Sequence, residues 1–471
     1  MAKWYEQAVF YHIYPLGLTG APFNNDCLGK SAEELAKPHR FEELFDWIPH
    51  IAELGCTAIY IGPLFESGTH GYDTIDYKKV DSRLGTNEDF IEFVKRAHAA
   101  GIKVVVDGVF NHTGRGVFAF EDLRVNRENS PYRYWYRDVS FEGNTCFNDG
   151  FWYQAWHNIH DLPALNQWNE DVRQYIFSVI RFWIHEFDID GIRLDSADCL
   201  DFNFLRDICS VARYEKEDFW MMGELIHGDY ARWINGGLLD SSTNYELHKG
   251  LFSGHNDHNY FEIAHSIRRQ FDANGGIYKG MHLYTFVDNH DVDRLASKLN
   301  EKAHLPLVWT LLFTLPGIPA IYYGSEWGIE GRKNGPDDSP MRPRLILSEM
   351  EANPPVPGLA EFISKLAALK KEDLALTYGR YQELLLTNRQ YAYARILDDH
   401  AVVVAANNDP NPAEMWFNCP LCRGNAKLED VLKKDVCQDA GDSQACDLDG
   451  EILDGRIHVA IPGHTVRVFM I

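Results

Sequence analysis

Eight short runs rich in β-branched and aromatic residues recur between residues 8 and 324, separated by polar loops and helical patterns. They are AVFYHIYP (8–15), TAIYIGPLF (57–65), KVVVDGVF (103–110), GIRLDSA (191–197), FWMMGEL (219–225), GGLLDSSTNY (236–245), HLYTFVD (282–288) and IPAIYYG (318–324). Most are continuously apolar rather than alternating, as strands covered on both faces must be. Among the intervening helices, the clearest spans 169–187, where Val172, Ile176, Val179, Ile180, Trp183 and Phe187 recur at helical spacing behind an acidic first turn. Eight such strand–helix units predict an α/β protein whose parallel sheet closes into a (β/α)8 TIM barrel.

Two stretches fall outside the repeat. Residues 112–165 are too long for a structureless connection and carry Tyr132, Tyr134, Trp135, Tyr136, Trp152, Tyr153 and Trp156. They predict a subdomain inserted after the third strand. Beyond residue 375 the pattern turns to alternating β runs such as YAYARIL, AVVVAANN and HTVRVFMI, the mark of an antiparallel sandwich. The expected domains are a barrel formed by 1–111 and 166–375, the insert at 112–165 and a C-terminal β-sandwich at 376–471. The uncharged run Leu305–Ser325 is broken by Pro316, Gly317 and Pro319, leaving too little helix for a bilayer core that needs ~20 residues. A buried helix, turn and strand is expected there.

In a barrel of this kind chemistry belongs on the loops after the C-terminal ends of the strands. Polar residues gather at those ends, in VVVDGVFNH, IRLDSAD, MMGELIHGD and TFVDNHD. Arg193 and Asp195 are two apart on the fourth strand and so face the same way. Taken alone, the pair reads as a structural ion pair; as part of a site, the guanidinium should keep Asp195 ionised, as a nucleophile requires. Glu224 rises from the apolar run FWMM, where burial should raise its pKa toward that of a general acid. Asp291 after His290, and Asp107, Asn111 and His112 after the third strand, complete four clusters at one end of the barrel. Two carboxyls on opposite sides of one bond, about 5–5.5 Å apart, define a retaining glycosidase. Asp291 then serves as a third carboxylate, gripping sugar hydroxyls as positive charge develops.

The net charge of −24 argues against nucleic acid and anionic membrane as partners, because phosphates are repelled. A neutral sugar fits it. Nine cysteines with no export signal at the N-terminus point to a reduced, cytoplasmic protein. Cys419 and Cys422 form a CPLC pair, but Cys437 and Cys446 are separated by eight residues, so half of a zinc pattern is missing and plain thiols are expected.

DGVFNH (107–112), GIRLDSAD (191–198), GELIHGD (223–229) and FVDNHD (286–291), in this order, resemble the α-amylase family of glycoside hydrolases, family 13, over nearly the whole chain. The resemblance implies Asp195 as nucleophile, Glu224 as acid/base and Asp291 as transition-state stabiliser. It also implies Arg193, His112 and His290 as ligands of the sugar in the cleavage subsite, held together by Asp107. Tyr72 in GYDTIDY matches the stacking tyrosine, and Asp338 and Arg342 in DDSPMR resemble the pair on its far hydroxyls. HGYDTIDYKKVD, HDLPALNQWN and GELIHGDYARWI are similar to cyclomaltodextrinases, neopullulanases and maltogenic amylases. Those enzymes carry an extra N-terminal domain that helps form a dimer; this sequence opens on the first strand, so no oligomeric state is expected from the likeness. The implied activity is cleavage of α-1,4 bonds in short or cyclic maltooligosaccharides, with room for transglycosylation. An α-1,6-acting glucosidase or a glucosyltransferase is the alternative, and a non-catalytic sugar-binding module the remote one. No cofactor is required. A structural calcium at Asn111 is the one metal that the resemblance raises, and it needs six to eight oxygens. Trp152 and Trp156 either stack on sugar faces or form the core of the insert. Asp201 reads as a helix cap or surface residue. Asp198 and Cys199 match neither the Lys-His nor the Asn-Glu found in relatives, so the acceptor side is where an unusual substrate is expected.

Overall fold

The computed structural model describes residues 3–28, 39–433 and 449–471. All eight expected runs contribute a strand to one parallel sheet: β1 (Phe10–Ile13), β2 (Ala58–Ile61), β5 (Lys103–Gly108), β6 (Gly191–Leu194), β7 (Trp220–Gly223), β8 (Ser241–Ser242), β9 (Tyr284–Phe286) and β10 (Ile318–Tyr322). The order is β8-β7-β6-β5-β2-β1-β10-β9, and a parallel bridge from Thr243 to Tyr284 joins the two ends. The chain is therefore a TIM barrel. The sixth strand is much shorter than its ten-residue run suggests, with only Ser241 and Ser242 paired as strand.

The two-residue period of each strand sorts its side chains between two cores. Phe10, Ala58, Tyr60, Val105, Trp220, Met222, Tyr284, Phe286, Ile318 and Ala320 fill the barrel interior. Their neighbours Tyr11, Ile59, Ile61, Val104, Val106, Ile192 and Met221 face the surrounding helices. Extending the inward series by one step along each strand leads from apolar residues to polar ones: Val105 to Asp107, Met222 to Glu224, Phe10 to His12. Register then sets them side by side, with Asp107 opposite Arg193 and Leu194 opposite Gly223.

The helix Glu170–Phe187 forms where its periodicity placed it, capped by the Asn169 side chain accepting from Val172 N, with Val172, Ile176, Val179, Ile180, Trp183 and Phe187 all buried. Such a cap contributes about 1 kcal/mol. Leu305–Thr314 is a buried helix leading into β10. Among the described residues no helix is long and apolar enough to cross a membrane.

One feature has no counterpart among the strands expected from sequence. β3 (Phe65–Ser67) and β4 (Thr74–Val80) form an antiparallel hairpin following the second barrel strand, and its loop carries Tyr72. The segment after β5 forms the helix Phe118–Asn126 and a small aromatic core of Phe120, Tyr136, Phe151 and Tyr153.

Beyond the barrel, β11 (Arg380–Leu386), β12 (Gln390–Leu397), β13 (His400–Asn407), β14 (Ala413–Asn418), β15 (Ala426–Leu428), β16 (Gly450–Leu453), β17 (Arg456–Ile461) and β18 (Thr465–Met470) make two antiparallel sheets, β11-β12-β13-β18 and β14-β17-β16-β15. Cys419 and Cys422 are buried in the core between them, and burial together with Cys419 pushes the Cys422 thiol up to about 12. Cys437 and Cys446 lie outside the described residues.

Candidate active site

The strand ends open into a cleft of about 800 Å³ lined by Tyr14, His70, Tyr72, His112, Trp156, Asp195, Ser196, Asp198, Glu224, Ile226, Tyr245, Asp291, Asp338 and Arg342, among others. Its floor is organised by one buried guanidinium. Arg193 Nη1 donates to Asp107 Oδ1 at 2.7 Å and to Asp195 Oδ1 at 3.1 Å, while Nη2 lies 2.9 Å from Glu224 Oε2. Asp107 also accepts from Tyr60 at 2.6 Å and Tyr72 at 3.1 Å. A carboxylate below the cleft thus fixes the arginine, and the arginine aims two further carboxylates upward.

Backbone couples those two carboxylates as well. Ser196 takes a left-handed conformation, φ 45°, which turns its N–H toward Glu224 Oε2 at 3.2 Å. Tyr245 donates to the other oxygen of Glu224 at 3.4 Å and accepts from Asn289 at 3.2 Å.

On the opposite wall, His290 is buried beneath Tyr72, its ring stacked on the tyrosine at 5.5 Å and its Nε2 2.5 Å from the phenol oxygen. The same Nε2 lies 3.0 Å from Asp291 Oδ2. Arg342 Nη2 contacts Asp291 and Asp338, each at 3.2 Å, and Nε donates to the His290 carbonyl at 2.9 Å. Burial opposes ionisation of Asp291, but His290, Arg342 and Arg193 outweigh it and hold the carboxyl below the usual aspartate range. Burial pushes His112 down to about 3, so the ring is neutral, and its Nε2 has no hydrogen-bond partner in the protein.

Asp195 departs from the electrostatic expectation. Burial pushes its carboxyl up to about 8; Arg193 pulls the other way, but Glu224, Asp107 and Asp291 add to the rise. One arginine shared by three carboxylates cannot keep all of them ionised in so dry a place.

Of the residues singled out from sequence, Asp195, Glu224, Asp291, Tyr72, His112, Asp198, Asp338, Arg342 and Trp156 line the cleft. Arg193, His290 and Asp107 lie directly beneath it. Trp152 does not line that cleft: it pairs with Ser140 inside the insert and is half-buried there. Asp201 caps the helix Phe202–Glu215, accepting from Asn203 N and Phe204 N. Asp198 is exposed on the cleft, whereas Cys199 is half-buried, its thiol pushed up to about 11 by burial and by Asp198. Asn111 is buried against His112 and Gln167, at 3.3 and 3.5 Å. These neutral partners do not supply the oxygen-rich shell that calcium needs.

Tyr14, Tyr245, Ser196 and His70 escaped the sequence reading. Tyr14 and Tyr245 could have been found, because each ends a strand run on the side where the carboxylates stand.

Comparison with known proteins gives the family. Residues 42–375 match the family model described as alpha amylase, catalytic domain. A neopullulanase 2 from Thermoactinomyces vulgaris is 30% identical over 455 residues, covering 92% of this chain and 75% of that protein. A cyclomaltodextrinase from Thermoanaerobacter pseudethanolicus is 29% identical over 431 residues, covering 88% of this chain and 72% of its own length. Among solved structures, the cyclic alpha-maltosyl-(1→6)-maltose hydrolase from Arthrobacter globiformis, in complex with cyclic alpha-maltosyl-(1→6)-maltose, superposes with a TM-score of 0.74 at 26% identity, over 88% of this chain and 92% of that one.

Proposed function

The chain belongs to the alpha-amylase family of glycoside hydrolases, and from that premise we propose that it cleaves α-1,4 bonds of short or cyclic maltooligosaccharides with retention of configuration. One observation carries the mechanism: Asp195 and Glu224 both contact the single guanidinium of Arg193. Two carboxyls within reach of one such group fit the short separation of retaining enzymes, about 5–5.5 Å, and not the ~6.5–9.5 Å that leaves room for an attacking water.

Asp195 attacks the anomeric carbon while Glu224 donates its proton to the departing glycosidic oxygen. Water, deprotonated by Glu224, then releases the sugar from Asp195. With Asp195 pushed up to about 8, the floor retains a proton at neutral pH. Arg193, in contact with both carboxylates, holds the charge on Asp195 as it attacks. Asp291, kept anionic by His290 and Arg342, grips hydroxyls of the sugar as it flattens. Tyr72 stacks beneath that sugar, and the neutral His112 presents Nε2 to a hydroxyl. Asp198 faces the acceptor side. Being neutral, the substrate meets no repulsion from the acidic surface. The names of the relatives, a cyclomaltodextrinase and a neopullulanase, support an α-glucan of this size.

Proton NMR of the first product released from maltotriose or a cyclodextrin tests the stereochemistry. The α-anomer should appear first, and a β-anomer appearing first would overturn retention. Product analysis on pullulan, isomaltose and sucrose tests the linkage: cleavage of isomaltose or sucrose alone would overturn the α-1,4 reading.

A further inference from the structure

Far from the cleft, four chain segments meet where the barrel docks on the sandwich. Glu301 and His304 come from the short helical turn leading into Leu305–Thr314, and His258 from the turn between helices Tyr245–Asn256 and Tyr260–Phe271. The other two segments are the turns after β13 and before β18, which bring Asn408 and His464. Potential ligand atoms of Glu301, His304 and His464 all lie within 4.8 Å of one another. His258 Nε2 is 3.5 Å from Glu301 Oε1, and His464 Nε2 is 3.5 Å from Glu301 Oε2. The His304 ring lies 4.8 Å from that of His464 and 5.5 Å from that of His258. None of the four lines the cleft.

The outer partners of these rings resemble those of metal-bound histidines, which characteristically give their second N–H to a backbone carbonyl. The Asn408 carbonyl faces His258 Nδ1 at 2.9 Å and His304 Nε2 at 3.4 Å. With those nitrogens protonated, His304 Nδ1 and His258 Nε2 carry bare lone pairs. His304 is only 1% exposed and its Nδ1 has no hydrogen-bond partner; neither has the buried Nε2 of His464. A buried lone pair with no donor beside it, next to a carboxylate and two further imidazoles, is an arrangement that a cation completes.

We infer that Glu301, His304 and His464, with His258 as the fourth ligand, form a binding site for a divalent transition ion of the zinc class that ties the barrel to the C-terminal sandwich. Three imidazoles and one carboxylate suit Zn2+, whose tetrahedral ligands stand about 3.3 Å apart. The three side chains within 4.8 Å of one another, and His258 beside them, draw together around the ion, and Glu301, whose side chain is 44% accessible, is free to follow it.

The full chain, stripped with a chelator and titrated with Zn2+ by calorimetry, should bind one ion here and unfold at a higher temperature when loaded. Glu301→Gln and His464→Asn, the latter tolerating the positive φ of that turn, should match the stripped wild type in melting temperature. Both should lose affinity by more than the ~10–100-fold that removal of an outer-sphere partner costs. Co2+ in place of Zn2+ should give ligand-field bands without thiolate charge transfer. No saturable uptake by the wild type would overturn the site, leaving a hydrogen-bonded His–Glu contact alone. Equal uptake by both variants, or a thiolate band, would place the ion elsewhere and overturn it too.

Discussion

As the proposed nucleophile, Asp195 would serve the reaction at a cost to the fold. Its carboxyl rises from the ordinary value near 4 to about 8, first through burial and then, against the pull of Arg193, through the other carboxylates. Between those two pH values the native chain retains a proton that the unfolded chain has released. Stability therefore falls as pH rises through that window and levels off above about 8. Asp195→Asn removes the titrating group. Its melting temperature should exceed that of the wild type at pH 8, by about 1–2 °C for each kcal/mol relieved in a chain of this size, and the excess should shrink toward pH 4. Activity should vanish in the same variant. A melting temperature at or below wild type at pH 8 would show that the ionised aspartate is not strained. In the wild type, kcat/KM should decline above about pH 8, where the carboxylate floor around Asp195 loses its last proton. A plateau through pH 9.5 would rule this out.

At the scale of the element, the last glycine of β7 sets how close the two carboxylates come. A Cβ on Gly223 would meet Leu239 Cδ1 at 2.5 Å and Ala197 Cβ at 2.8 Å. Ala197 follows Ser196, and Ala197 N donates to the Glu224 carbonyl at 3.2 Å, so the strain falls on the turn that orients Glu224. Gly223→Ala should lower kcat by about 10–100-fold, the scale of a 1 Å misplacement, with KM for a maltooligosaccharide changed far less. An equal rise in KM would mean that the cleft itself had deformed. The carboxylate-bearing strands were legible because an apolar run ending in a charge is a strong local signal. The β3–β4 hairpin was not, because β4 is fully buried only at every third residue and no apolar run marks it, although Tyr72 in its loop was recognisable by motif. Ser241 and Ser242 could not be foreseen as the whole of a barrel strand either: the residues on both sides of them are polar or turn-forming, and only pairing with Met222 and Gly223 of β7 defines them. Electrostatics was the least legible. Arg193 beside Asp195 suggests a lowered pKa until Asp107 and Glu224, 86 and 31 residues away in sequence from that arginine, arrive on the same guanidinium.

For the molecule as a whole, the sheet β11-β12-β13-β18 has no solvated face. Tyr391, Tyr393, Val402, Val404, Ala406, Val466 and Val468 pack into the core around the barrel, while Ala392, Ala394, Val403, Ala405 and Phe469 pack against the second sheet. Arg395 crosses the first of these contacts fully buried, donating to Thr314 O at 3.0 Å and, through Nε and Nη2, to Gly379 O at 3.2 and 3.0 Å. Thr314 ends the helix Leu305–Thr314, and its hydroxyl lies 2.6 Å from Tyr393 OH. The arginine therefore neutralises the negative end of a barrel helix with a charge supplied by the sandwich. Arg395→Met keeps the bulk but leaves the Thr314 and Gly379 carbonyls without these donors. It should cost about 2–4 kcal/mol. Since neither partner then retains a well-covered face, the loss should lower one calorimetric transition in which barrel and sandwich unfold together. Hydrolytic activity and the heat absorption should disappear at the same temperature. Two resolved transitions, with activity following only the second, would mean that the sandwich is an independent unit resting on the barrel and that the buried arginine does not couple them.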